Sequence, residues 1–516
     1  MRAIVAITLL VALAAFVGAK SLKEPNEKVN RLLMQQLLAK RSGANSRVAP
    51  KAPVVADKRI VIENYFTTRL DHFNSQNTQE FQLRYLQVSD FYRPGGPILI
   101  FLAGNTALED WMVYRGTLIY QLAEKMNALL IGVESRFYGS SRPTEDTTTE
   151  NLRFLNTDQI LADFAEFVTY LRHEVVENEY AKVLVAGSEY GGSLATWFRV
   201  RYPHLADVAW SSSGWHQANM DFQEFTEAWG ETLIEHGSQD CYNEIFVAFH
   251  VMQNLFDAER SEEVSEMFNI CTPVDPEDRL QVMFFFSIMM TSIEMYTLRD
   301  NQLGDFHEVC DDLLEGDYPT AVHAFADWFN TKFLEDRGCV ISDINELVER
   351  FSQTNWDSPY TEMGVRQWGY QECNEFGWFW TTDSDNQPFG SRVYLELYSE
   401  LCRMVYGDWI TYESIYYATN RANNRFGGNN PRIEYAHFTN GAEDPWRKIS
   451  VTNTLNTNAL ADVIPRELTS ADIWATSEDD SAELAEVKDR LLDLLSYYLY
   501  PGRPREEVKS VDVAVN

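Results

Sequence analysis

The sequence predicts an α/β protein: a doubly wound parallel sheet interrupted by a disulfide-stapled helical insertion. Three observations carry this. Short, continuous apolar runs alternate with helical periodicity between residues 97 and 213. The alternation then stops, and residues 217–350 read as helix upon helix, rich in Phe and Met. All six cysteines fall between positions 241 and 402.

The elements follow in order. Pro97–Gly104 and Ala128–Glu134 are apolar runs bounded by turn signals, as expected of strands covered on both faces. A helical stretch lies between them, around Leu118–Met126. Asn156-Thr157 offers an N-cap for a helix whose inward side carries Ile160, Leu161, Phe164, Phe167, Val168 and Leu171. Lys182–Gly187 is a short strand that runs into a Gly-rich turn and another helix. Strand character resumes at Ile433–Phe438 and again around Thr469–Ala475, before a closing helix from about Ser481 to Leu499. The apolar run Val282–Ile293 contains Ser287 and Thr291 and is too short to span a membrane, so it reads as a buried helix.

The 516-residue chain is 45% hydrophobic and 13% aromatic, enough for a large core. Its formal charge of −34 argues against nucleic acid or an anionic membrane as partner. Residues 20–59 run the other way, with ten Lys/Arg against three Asp/Glu. Before them, Arg2, the apolar run Ala3–Val17 and the small pair Gly18-Ala19 form an export signal. The expected organisation is a signal peptide (1–19), a basic leader or propeptide (20–59), a first sheet segment (60–213), a helical cap (214–405) and a second sheet segment (406–516). Six cysteines in an exported chain imply three disulfides, and spacing alone leaves the connectivity open. No Cys/His metal pattern occurs, and neither a metal nor a cofactor is expected. There is no N-x-S/T sequon, which favours a secreted protein over glycan-dependent lysosomal sorting.

The chemistry centres on Val183–Arg199. A strand, a sharp turn with small residues either side of its tip, and a helix together form the nucleophile elbow of α/β-hydrolases. Gly187 and Gly191 are the small residues, and the tip is Glu189. The N–H of the following residue, Tyr190, is the candidate oxyanion-hole donor.

Residues 187–204 resemble the elbow of the Pro-X carboxypeptidase/dipeptidyl-peptidase family of serine peptidases, where a serine precedes Tyr-Gly-Gly. Further blocks resemble that family in the same order: Leu70–Asn74, Glu134–Gly139 with Ser141-Arg142-Pro143, Glu372–Thr382, and Asn440–Trp446. The resemblance implies exopeptidase chemistry near proline through a Ser–Asp–His triad. Asp444 matches the aspartate, Glu189 stands in place of the serine, and Thr469 aligns with the histidine. None of the nine histidines follows Asp444, so the triad cannot be assembled in that chain order. Asn105 and Ser135 depart from the family pattern nearby. The resemblance also implies the disulfides Cys373–Cys402, Cys241–Cys310 and Cys271–Cys339.

Substitute groups are few. Ser193 lies one helical turn past the tip and reads as a packing serine, and Ser188 lies on the tip's inward side. His216 and His437 are the stray histidines, each more readily packed than catalytic. The sequence therefore points to a secreted, inactive family member that keeps a peptide-binding cleft. The alternatives are an exopeptidase with a non-standard constellation, or a bulk acidic secreted protein. The partners left open are a peptide, proline-containing by resemblance, and a second copy of the chain.

Overall fold

A computed structural model describes residues 61–297, 303–334 and 338–500. The expected export signal and basic leader lie outside these described residues. The centre is an eight-stranded sheet in the order β1-β2-β4-β3-β5-β6-β7-β8. Its strands are β1 (Ile62–Arg69), β2 (Glu80–Val88), β3 (Ile98–Leu102), β4 (Leu129–Val133), β5 (Val183–Ser188), β6 (Val208–Ser212), β7 (Ala436–Gly441) and β8 (Ala459–Ile464).

From β4 to β8 every pairing is parallel, and these strands owe their burial to helices on both faces. Residues in β3 and β4 are buried at every position, as their unbroken apolar sequences require. One face is covered by α1 (Leu118–Met126) and the C-terminal helix α8 (Ala482–Leu499). The other carries α2 (Thr157–Tyr170) and α3 (Tyr190–Arg201), continuous with the core of the insertion. Asn156 caps α2, its Oδ1 accepting the Gln159 N–H at 3.0 Å.

Two expectations need correction. The sheet is mixed rather than wholly parallel, because β1 and β2 pair antiparallel to each other and β2 pairs antiparallel to β4. Their sequences alternate instead of running apolar: Phe81, Leu83 and Tyr85 point inward and Glu80, Gln82 and Arg84 outward or aside. Nor is Thr469–Ala475 a strand. It contains a 3₁₀ turn, Ala471–Ile473, and the last strand is β8, ten residues earlier at its start.

The insertion between β6 and β7 is helical. It begins with α4 (Gln223–His236) and α5 (Gln239–Asp257), followed by α6 (Arg279–Thr297). By length and composition α6 could cross a membrane, but 83% of its apolar window is buried among neighbouring helices. A helix that is apolar on all sides belongs in a core. Disulfides Cys241–Cys310, Cys271–Cys339 and Cys373–Cys402 staple this region, in the pairing the resemblance implied. The last helix before β7 is α7 (Tyr412–Phe426).

Candidate active site

The parallel strands all present their carboxyl ends to one edge, where open α/β sheets place their ligand sites. Leu102 of β3 is in register with Gly187, Ser188 with Ser212, Ser212 with Thr439, and Gly441 with Ile464. The loops leaving these ends carry Asn105, Glu189, Ser213, Asp444 and Thr469.

Glu189 occupies the tip of a tight turn with φ 55° and ψ −126°, a conformation that non-glycine residues seldom adopt. Its N–H donates to the Ser212 carbonyl at 2.9 Å, and its own carbonyl accepts the Ser193 N–H at 3.0 Å as α3 begins. The turn demands glycine on either side. A Cβ on Gly187 would lie 2.3 Å from the Gly191 carbonyl carbon, and one on Gly191 would lie 2.4 Å from the Leu102 oxygen. This is the elbow geometry the sequence predicts, with a carboxylate at its tip. Glu189 is only 5% exposed. Tyr190 is the first residue of α3, so its N–H belongs to the unpaired donors of a helix start. The Tyr190 ring is fully buried, and its phenol accepts from Gln371 Nε2 at 2.9 Å.

Asp444 follows β7 and is held in place by backbone contacts. The N–H groups of Ala442 and Glu443 donate to the carbonyls of Ile464 and Glu467, at 2.9 and 3.0 Å. Gly441 lets this segment pass so close that a Cβ there would sit 2.2 Å from the Leu468 oxygen. The two loops are thereby laid together, and Thr469 comes to face Asp444. The Asp444 carboxyl is completely enclosed, and burial pushes its pKa up to about 6. The Trp446 N–H, 3.0 Å from Oδ1, and the hydroxyls of Thr469 and Ser213 favour the charged form and oppose that rise. They do not close a well-formed hydrogen bond on Oδ2, which has no hydrogen-bond partner among the described residues.

Ser213, absent from the sequence reading, joins the two halves of the site. It sits at φ 47°, its N–H donates to Thr439 and its Oγ accepts the Ser470 N–H at 2.9 Å. Asp472, which in the sequence only anchors the alignment of Thr469, has a structural role of its own. Its buried carboxylate accepts from Ser212 Oγ, Thr439 Oγ1 and Trp210 Nε1, tying the Thr469 loop to β6 and β7. Only its type, a buried acid in a loop of small polar residues, could have signalled this role.

The substitute groups are engaged elsewhere. The Ser193 hydroxyl donates to the Trp215 carbonyl at 2.6 Å and is fully buried. Ser188 ends β5 and is partly exposed. His216 is packed against Thr196 and Ser211, accepts the Val451 N–H at 3.3 Å, and burial pushes its pKa down to about 3. His437 lies two residues into β7, away from the carboxyl edge, with Nε2 2.8 Å from Asp462. The side-chain hydrogen bonds of His216 and His437 are thus made to groups other than Glu189 and Asp444. Ser193 Oγ meets Glu189 at its backbone carbonyl, at 3.3 Å, and not at its carboxylate.

Three other family-like blocks are structural. Arg136 clamps Asp163 through Nε and Nη2 at 2.6 and 2.7 Å and donates to the carbonyls of Arg69, Leu70 and Phe154. His72 shares Asp163 at 2.7 Å, so the Leu70–Asn74 block anchors the sheet and not the chemistry. Ser135 is fully buried and its hydroxyl has no hydrogen-bond partner among the described residues. The Glu372–Thr382 block supplies Glu375, which accepts from the Thr157 N–H and hydroxyl and from Gln371. Burial pushes Glu375 up to about 7. Gln371 in turn bonds Tyr138 and Tyr190, so this network braces the underside of the elbow.

An aromatic wall stands beside Asp444. Trp215 stacks on Trp446 at 4.3 Å, Trp446 meets Trp380 at 5.6 Å, and Trp380 stacks on Phe225 at 3.8 Å. The indole N–H groups of Trp215, Trp380 and Trp446 are buried without a hydrogen-bond partner among the described residues.

Comparison with known proteins finds relatives named as a serine protease and a Pro-X carboxypeptidase. The chain is 26% identical over 510 residues to a Caenorhabditis elegans serine-protease relative, covering 95% of this chain and 99% of that one. It is 28% identical over 451 residues to the thymus-specific serine protease of Mus musculus, covering 83% and 86%. The lysosomal Pro-X carboxypeptidase of Bos taurus is 25% identical over 439 residues, covering 81% and 83%. Among solved structures, a proline iminopeptidase from Mycobacterium smegmatis aligns with 85% of this chain and 100% of its own, at 12% identity and a TM-score of 0.39. The sequence profile of the serine carboxypeptidase S28 family matches residues 68–491. With that match spanning the elbow, the cap and the Asp444 loop, the chain belongs to the serine carboxypeptidase S28 family.

Proposed function

We propose that this chain is a non-catalytic member of its family, exported and secreted, that binds peptide without cleaving it. One observation carries the reading: the elbow tip is the buried Glu189, while the residue facing Asp444 is Thr469. Triad chemistry needs a nucleophile whose proton is taken by a base, and the base must be oriented by the acid. A threonine hydroxyl is no base near neutral pH, and Glu189 brings charge where an oxyanion would form. At the start of α3 that charge is favourable, because unpaired N–H groups and the helix dipole attract an anion. Glu189 makes no capping hydrogen bond to α3, so the attraction is that of a charge to the helix dipole.

Peptide as the ligand class rests on the family: relatives matched over most of this chain are named as a serine protease and a Pro-X carboxypeptidase. The aromatic cluster beside Asp444 is core, with Trp215, Trp380 and Trp446 at most 1% exposed. Incubation with a fluorophosphonate serine probe should leave the protein unlabelled, while a proline-containing peptide should be retained. Probe labelling at any serine of the site would defeat the non-catalytic reading. Failure to retain any peptide from a proline-containing library would defeat the binding one.

A further inference from the structure

Glu235 and His236 end α4, and Glu443 immediately precedes Asp444 in the opposing loop. One ligand atom from each of the three lies within 4.8 Å of the others. His236 Nε2 is buried and has no hydrogen-bond partner among the described residues, and its side chain is only 10% exposed. That atom stands 3.3 Å from Glu443 Oε2, close enough to pair, without forming a hydrogen bond. Two ligand atoms about 2.0–2.1 Å from a tetrahedral ion are separated by about 3.3–3.4 Å, so the spacing is that of atoms sharing one ion.

From this geometry we propose that Glu235, His236 and Glu443 form a binding site for a divalent transition-metal ion of the Zn²⁺ class. An imidazole with two carboxylates suits zinc, whereas Mg²⁺ and Ca²⁺ prefer an all-oxygen shell. Glu235 is exposed, so water supplies the fourth position. The site also lies at the C-terminal end of α4, where unpaired carbonyls and the helix dipole favour a cation. The nearby cations do not fill it, because Lys448 and Arg447 both turn to Glu231, at 3.4 and 3.7 Å. Thr232 on the same helix donates to the Glu443 carbonyl at 3.4 Å, so helix and loop are already registered. An ion there joins the cap to the segment that carries Asp444, a cross-link additional to the three disulfides.

The test is calorimetric titration of the chelator-treated, disulfide-intact protein with ZnCl₂. One equivalent should bind, with a rise in melting temperature. His236→Ala and Glu443→Gln should each weaken binding more than about 100-fold, since loss even of an outer-shell partner costs about 10–100-fold. Glu235→Gln changes an exposed residue that the fold does not need, and should weaken binding at least about tenfold. Co²⁺ should give a tetrahedral absorption band that disappears in His236→Ala. Absence of stoichiometric Zn²⁺ binding, binding unchanged in Glu235→Gln, or a preference for Ca²⁺ over Zn²⁺ would each overturn the assignment.

Discussion

Thr469 faces Asp444 across two loops that are laid together by the Ala442–Ile464 and Glu443–Glu467 backbone hydrogen bonds. We propose position 469 as that of the family's base, so that a histidine there would be oriented by Asp444. Glu189→Ser alone should remain inactive, for want of a base within hydrogen-bond reach. Thr469→His alone should be equally silent. Only the double variant Glu189→Ser/Thr469→His should hydrolyse a proline-containing peptide, and incompletely, because a misplacement of about 1 Å costs about 100-fold. Turnover by either single variant, measured with a chromogenic prolyl substrate, would refute this assignment of positions.

Glu189 should contribute to stability. Its side chain is buried at a helix start and makes no capping hydrogen bond to α3, so Glu189→Ser should forfeit the charge–dipole attraction, about 0.3–1 kcal/mol, together with the packing of the buried side chain. Glu189→Gln keeps an acceptor oxygen and forfeits only the charge, which is worth about 0.3–1 kcal/mol at a helix N-terminus. Denaturant melts of the two variants should therefore rank Ser below Gln. An unchanged or raised midpoint for Glu189→Ser would contradict the carboxylate's role as a fixed anion.

The Arg136–Asp163 pair should be the more sensitive site, although it lies outside the chemistry. Both side chains are fully buried, and Asp163 also holds His72. Removing one partner of such a pair leaves an uncompensated buried charge, at a cost of about 3–5 kcal/mol. Arg136→Leu should lower stability by that amount, and Arg136→Lys should not rescue it, because a single ammonium cannot replace the forked contacts to Asp163 and three carbonyls. A loss below about 1 kcal/mol in urea unfolding would count against the network.

These cases show why some of the molecule was legible beforehand. The central strands could be read because covered parallel strands are apolar throughout, as in β3 and β4. The elbow could be read because its glycines are required by contacts under 2.5 Å. Strands β1 and β2 carry a weaker, alternating signal, since one side of them meets solvent. Strand β8 reads Ala-Leu-Ala-Asp-Val-Ile, and its Asp462 serves His437 and Arg490, so its apolar pattern is broken by a local partner. Ser213, Asp472 and Gln371 have no periodicity at all. Their importance arises from loops meeting at the sheet edge, which only the three-dimensional register reveals.

The last prediction concerns pH. Burial holds Glu375 neutral until about pH 7, whereas in the unfolded chain it ionises near 4.5. Its folded pKa is raised, so below pH 4.5 its contribution to stability is fully present, and it is lost as pH climbs through 7. The shift corresponds to about 3 kcal/mol at most. His216 acts in the opposite direction. It stays neutral in the fold down to about pH 3, so its contribution is present above 6.5 and is lost as pH falls below that. The two slopes oppose each other between pH 4.5 and 6.5, and the melting temperature of the parent protein alone will conceal both. Glu375→Gln keeps an acceptor for the Thr157 N–H and cannot ionise, while His216 and Asp444 remain in both proteins and cancel. The stability of the parent minus that of Glu375→Gln should therefore decrease steadily from pH 4.5 to 7.5. A difference that is flat or increases over that range would show that Glu375 is already ionised in the folded chain, carried by Thr157 and Gln371 despite its burial.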